Sequence, residues 1–208
     1  MTAVLREPVN TITHAIGIAL GVLLCITLVA RGQTHWSVLV FAISMTVLYT
    51  ASSIYHGLHT SAAREELLKR FDHSAIFLLM AGTYTPVLWA ALPEPWSWVA
   101  IAVTWAIASV GIALKFTLEL PEWVSLALYV GAGWLAAMLL PVLITAIPRV
   151  AFVALVAGGV FYTLGVPFFA SKHQKHFIPA WGTHEVWHLF VLAGSLAHVV
   201  MVLALPIS

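Results

Sequence analysis

Residues 183–200 read THEVWHLFVLAGSLAHVV. The stretch is nearly all apolar, yet it carries His184, Glu185, His188 and His198. With the residues that follow, it reaches the roughly 20 apolar positions a helix needs to cross a bilayer. Ionisable groups inside a membrane helix are costly, and they turn toward a bundle interior or a cavity where partners wait. Two things follow if this segment is a span. The rest of the chain must be a membrane bundle too, and other segments must bring polar groups to the same depth.

The composition meets the first requirement. The chain has 208 residues, 62% of them hydrophobic and only 8% charged, against about 25% charged in a soluble domain. Long unbroken apolar runs, rather than alternating ones, select helices over a membrane barrel. A net charge of +1 without any basic cluster excludes nucleic acid as a partner. The single cysteine, Cys25, has no partner for an internal disulfide and reads as a small packing residue. The first apolar segment follows a leader with one Arg and one Glu and has no small-residue cleavage site, so it is expected to be retained.

Seven spans are expected, at roughly 11–30, 36–57, 72–92, 96–115, 123–143, 149–170 and 184–206, in a single domain covering 1–208. Short turns such as Arg31-Gly32-Gln33, Pro93-Glu94-Pro95 and Ile147-Pro148-Arg149 make successive spans antiparallel neighbours. The connections on one side carry Arg6, Arg64, Lys69, Arg70, Lys115, Lys172 and Lys175; those on the other carry Arg31 and Arg149. This bias of seven to two puts the N-terminus in the cytoplasm and the C-terminus outside.

That topology collects the unusual polar residues at the cytoplasmic ends of their spans. Glu7, Asn10 and His14 open the first span; Ser52, Ser53 and His56 close the second; Asp72 and His73 open the third; Lys115 closes the fourth; His184, Glu185 and His188 open the seventh. His184 and His188 are four residues apart, so their rings share a helix face and can bind one zinc. Ser195 and His198 fall on that same face. Plainer readings exist for each residue alone. Asp72 can cap the third helix and pair with Arg70, Ser52 can bond back to its own helix, and Lys115 can snorkel to the headgroups. His35, His59, His173 and His176 lie in or near loops and read as solvated.

The full set resembles the haemolysin III proteins of bacteria, within the progestin and adipoQ receptor family, and the site pattern is similar to that of alkaline ceramidases. The matching residues are E7-P-V-N10-T-I-T-H14, S52-S-I-Y-H56, F71-D72-H-S-A-I, and H184-E-V-W-H188 followed by H198. The resemblance implies a seven-helix all-α membrane protein of the bacterial inner membrane, with its N-terminus cytoplasmic. It also implies a zinc ion held by His56, His184 and His188, with Asp72 and Ser52 close by. On that basis Asp72 is the expected general base and Ser52 a donor to a developing oxyanion or a ligand-orienting group. Glu7, Asn10 and His14 are expected to support the ligands or line an entrance.

Three imidazoles leave a fourth zinc position open, which is the catalytic rather than the structural pattern. The expected chemistry is therefore hydrolysis of an amide or ester on a membrane lipid, linked to lipid homeostasis. Two other readings stay open: a non-enzymatic sensor clamped by a structural zinc, and a channel or proton-coupled transporter. His198 lies about 15 Å along the helix from His188, too far to share its metal. Like Lys115, it is left as a polar residue without an assigned role.

Overall fold

The computed structural model describes residues 5–118, 120–171, 176–178 and 181–207. Its helices are α1 (Pro8–Ala30), α2 (Trp36–Gly57), α3 (Ala62–Ala91), α4 (Trp96–Thr117), α5 (Glu122–Gly133), α6 (Leu140–Ala146), α7 (Arg149–Phe169) and α8 (Thr183–Ala204). A 3₁₀ segment, Trp134–Leu139, joins α5 to α6. These elements supply seven segments long and apolar enough to span a membrane, the fifth running Trp123–Ala146 through α5, the 3₁₀ segment and α6. The chain is thus a multi-pass integral membrane protein built as a seven-helix bundle. A short antiparallel pair, β1 (His176–Ile178) and β2 (Trp181–Gly182), leads into α8. Lys172, His173 and Lys175, three of the residues read as loop groups, lie outside the described residues.

Neighbours in sequence are neighbours in space. α1 packs on α2, α2 on α3, α3 on α4 and α7 on α8, and α8 closes back onto α1. The spans are not equally enclosed: 67% of the apolar window of α3 is buried inside the protein, against 6% for the fifth span. α2 and α3 therefore form the interior of the bundle, and α4 and α5 its lipid-facing rim. Exposed Val103 and Val110 on α4, Ile144 on α6, and Ile26 and Val29 on the outer face of α1 are what lipid requires. Small residues allow the closest helix approaches. Gly17 on α1 faces the ring of Tyr49 on α2 so tightly that an added Cβ would overlap it.

Two elements differ from the sequence expectation. The third helix starts at Ala62 rather than Asp72. Its first ten residues project beyond the apolar window as a polar helix. Glu66 and Arg70 pair at 3.1 Å across one turn, and the Arg70 guanidinium also donates to the Phe116 carbonyl. Asp72 is consequently not a cap, and its expected alternative partner Arg70 is engaged elsewhere. The fifth span, expected to be continuous, is broken. Pro141 cannot donate to a carbonyl one turn back and crowds it, and Gly131 and Gly133 precede the break. The Tyr84 hydroxyl repairs the interrupted backbone: it donates to the Ala132 and Gly133 carbonyls and accepts from Ala136 N–H at 2.9 Å. Non-helical backbone at membrane depth persists only where protein or a cavity satisfies it, and this segment borders a cavity.

Candidate metal centre

α2 ends and α8 begins at the same end of the bundle, and this brings His56 to His184 and His188. Their Nε2 atoms converge, with His184 3.4 Å from His56 and 3.1 Å from His188. In a tetrahedral zinc site with bonds of about 2.05 Å, neighbouring donor atoms are about 3.3 Å apart. Both distances match that spacing, and the three residues lie close enough together to hold a metal ion. His56 and His188 are buried, and His184 is half-buried. The 184/188 spacing works as helix geometry demands, since one turn of α8 stacks the two rings on one face.

Hydrogen bonds around Glu7 orient the His56 ring and tie α1 to α8. His56 Nδ1 donates to Glu7 Oε2 at 2.6 Å, which leaves its Nε2 lone pair facing the other two rings. Glu7 sits just before α1. Burial alone would raise its carboxyl, but the hydrogen bonds from His56 and Asn10 and the Arg6 charge outweigh this and hold it below the usual carboxylate range. It is therefore an anion throughout the neutral range, as an acceptor for a ligand histidine should be. Asn10 Nδ2 donates to Glu7 Oε2 at 2.9 Å and to Glu185 Oε1 at 3.1 Å, tying α1 to α8. Glu185 Oε2 in turn accepts from the Gly182 N–H at 2.7 Å and so fixes the start of α8. His14 stacks flat on His188, with centroids 3.7 Å apart, and meets Tyr49 edge-on.

Asp72 enters from α3. Its Oδ2 lies 4.0 Å from His56 Nε2, and Ser52, one turn before His56 on α2, lies beside the same carboxylate. Ser52 is buried and lines the same cavity as Asp72. Eight of the ten residues singled out from the sequence come together here: Glu7, Asn10, His14, Ser52, His56, Asp72, His184 and His188. The structure keeps two apart. His198 lies deeper along α8. Lys115 is half-buried rather than extended to the headgroups; its Nζ donates to Ser125 Oγ at 2.6 Å and lies over the Tyr129 ring. His35, read as a solvated loop residue, instead accepts from the Ser37 N–H to cap α2 and packs on Trp36 and Trp89.

Sequence reasoning passed over Glu185 as a site residue because it points away from the histidine face. Its capping position before an apolar run was the available signal. Tyr49 was also missed, although it shares the α2 stripe with Ser52 and His56 at helical spacing.

The site opens on a cavity of about 210 Å³. Ser52, Asp72, His184 and His188 line one end. Beyond them the walls are mainly apolar, from residues such as Ile76, Leu79, Met80, Val130, Val166 and Val191.

Comparison with known proteins agrees with this architecture. A family model described as haemolysin-III related matches residues 2–199. Hemolysin-3 of Bacillus cereus is 35% identical, the match covering 94% of this chain and 90% of the relative. The Hemolysin-3 homolog of Bacillus subtilis (strain 168) is 32% identical, covering 95% and 92%. A match of that extent to the family model, with two relatives aligned over nearly their whole lengths, places this seven-helix chain in the haemolysin III-related family.

Proposed function

We propose that this protein is a zinc-dependent hydrolase acting on an amide or ester bond of a membrane lipid. One observation carries the reading: three imidazoles converge, and two of them, His184 and His188, share one wall of a cavity with a buried carboxylate and a hydroxyl, the remaining walls suiting an acyl chain. Three neutral nitrogens with a hydrogen-bonded second layer are a donor set that favours zinc over the oxygen-seeking divalent ions. His56, His184 and His188 would hold the ion. Zinc in such a site acts as a Lewis acid and brings a water within reach of ionisation near neutral pH.

The protein's own groups supply the rest. Asp72 is placed to take a proton from the attacking water and return it to the leaving amine or alcohol. Ser52, beside Asp72, aims that carboxylate. Glu7 and Asn10 hold the His56 ring and the start of α8 in register. The apolar walls bind the acyl chain, while its carbonyl stops at the polar end. A transporter reading has less support, because the charged groups gather at one end and the cavity beyond them is mainly apolar.

The direct test is to incubate the detergent-purified, zinc-loaded protein with a panel of N-acyl sphingoid bases and glycerophospholipids and to measure released fatty acid. Release that disappears on zinc removal and returns on zinc addition is the expected result. No release from any amide or ester lipid, by protein shown to carry the metal, would overturn the hydrolase reading.

The charge bias further supports a bacterial inner-membrane protein with the metal end at the cytoplasmic face. In a Cys25→Ser background, Thr34→Cys should react with a membrane-impermeant thiol reagent added to intact cells, and Thr60→Cys should not. The opposite pattern reverses the orientation.

A further inference from the structure

The polar extension of α3 reaches the metal centre through Arg6. Residues 6 and 7 run back along the end of α2. There the Arg6 N–H donates to the Gly57 carbonyl at 3.2 Å and the Glu7 N–H to the His56 carbonyl at 3.0 Å. This pairing lays the Arg6 side chain, only 16% exposed, against the last turn of α2. Its guanidinium carbon sits over the Tyr55 ring, 4.8 Å from the centroid. Nη2 donates to the Tyr55 carbonyl at 2.7 Å and lies 3.3 Å from Glu7 Oε1. Nη1 lies 2.5 Å from Oε1 of Glu65, which stands in the first turn of α3.

An arginine suits this place. Carbonyls in the last turn of a helix have no intrahelical donor, and a cation is favoured beside them. The Tyr55 carbonyl is one of these. A guanidinium is also a rigid fork that holds several acceptors in fixed relation, whereas a lysine ammonium is a point charge on a flexible stem.

The consequence falls on Glu7. Its two oxygens are divided: Oε2 accepts from His56 and Asn10, and Oε1 faces Arg6. A carboxylate held by a cation at one oxygen keeps the other aimed at His56. We propose that Arg6 is a positioning residue for the metal centre, anchoring Glu7, and through it the His56 ring, to Glu65 on α3. Glu7 and Glu65 are partly exposed, and ion pairs of that kind add little to fold stability. Breaking this one should therefore show in metal affinity rather than in unfolding. The inference rests on the reading of His56, His184 and His188 as zinc ligands, and the test separates the two.

Zinc affinity of the purified full-length protein is measured by competition with a chelator of known affinity, in the wild type and in a double-mutant cycle. Arg6→Ala is expected to weaken zinc binding about tenfold, at the low end for a group that supports a ligand from outside the coordination sphere. Arg6→Lys should recover part of this, and Glu65→Ala should show a smaller loss in the same direction. In a Glu7→Ala background, where no carboxylate is left to aim, Arg6→Ala should cost nothing further. The metal-free proteins should unfold at similar temperatures. Unchanged affinity in Arg6→Ala, or the same loss with and without Glu7, overturns the positioning role and leaves the zinc centre intact. A wild type that binds no zinc removes both. Should Arg6→Ala not fold, the Glu65→Ala and Glu7→Ala cycle decides by the same criterion.

Discussion

His188→Ala protein is expected to purify with only background zinc by elemental analysis, where the wild type is expected to carry about one equivalent. The other two rings are placed by the protein itself, which makes the loss specific. His56 is fixed by Glu7, and His184 by its position on α8 one turn from His188. Removing the His188 ring leaves two donors and takes away the surface on which His14 stacks. Asp72 is the acid on the Nε2 side of His56, and it reaches only to 4.0 Å from that atom. A graded comparison sharpens the result. Glu7→Gln keeps all three rings but weakens the acceptor that orients His56, and it should lower zinc affinity by about 10- to 100-fold. It should therefore bind stoichiometrically in excess zinc and lose the ion to a chelator the wild type resists. Wild-type protein prepared without chelators that contains no metal, or His188→Ala that retains one equivalent, would be incompatible with this centre.

The depth at which these groups meet was legible because two independent patterns coincide. Hydropathy places the span ends, and the polar residues fall at alternate ends of successive spans, which antiparallel packing brings to one side. What hydropathy cannot see is a helix that continues into water. The first ten residues of α3 carry charges in one-turn pairs such as Glu66 and Arg70, and this stabilises helix without adding apolar length. The fifth span is the reverse case. Its hydropathy is unbroken across Trp123–Ala146, and only Pro141 and two glycines hint at the 3₁₀ segment. The partner that makes the break tolerable, Tyr84, lies about 50 residues away on α3. Glu185 shows a third limit. Helical projection correctly turns it off the histidine face, but a side chain at the first turn of a helix can fold back to its own N-terminus and reach a neighbouring helix. Projection onto a wheel carries no information about either.

Asp72→Asn is expected to lower turnover of a lipid substrate by about 10²- to 10⁴-fold, the usual contribution of a positioned general base, while zinc content stays at the wild-type level. The substitution is nearly isosteric. The new amide can still accept the Ser52 hydroxyl through its oxygen, so α2 and α3 keep their contact, and the three histidines are untouched. What it loses is the ability to take a proton. The loss should appear in kcat with little change in KM, because a base acts in the transition state and not in holding the acyl chain. Ser52→Ala, which frees the carboxylate without removing it, should cost less. The same variant separates catalysis from the clamp reading. A metal that only ties α2 to α8 needs its three histidines but has no use for a nearby proton acceptor. In that case Asp72→Asn would retain both metal and cellular function, and only the ligand variants would fail. A protein that keeps its zinc, keeps its fold and loses turnover through one oxygen-to-nitrogen exchange can be explained only by chemistry at the open side of the metal, where Asp72 meets the cavity.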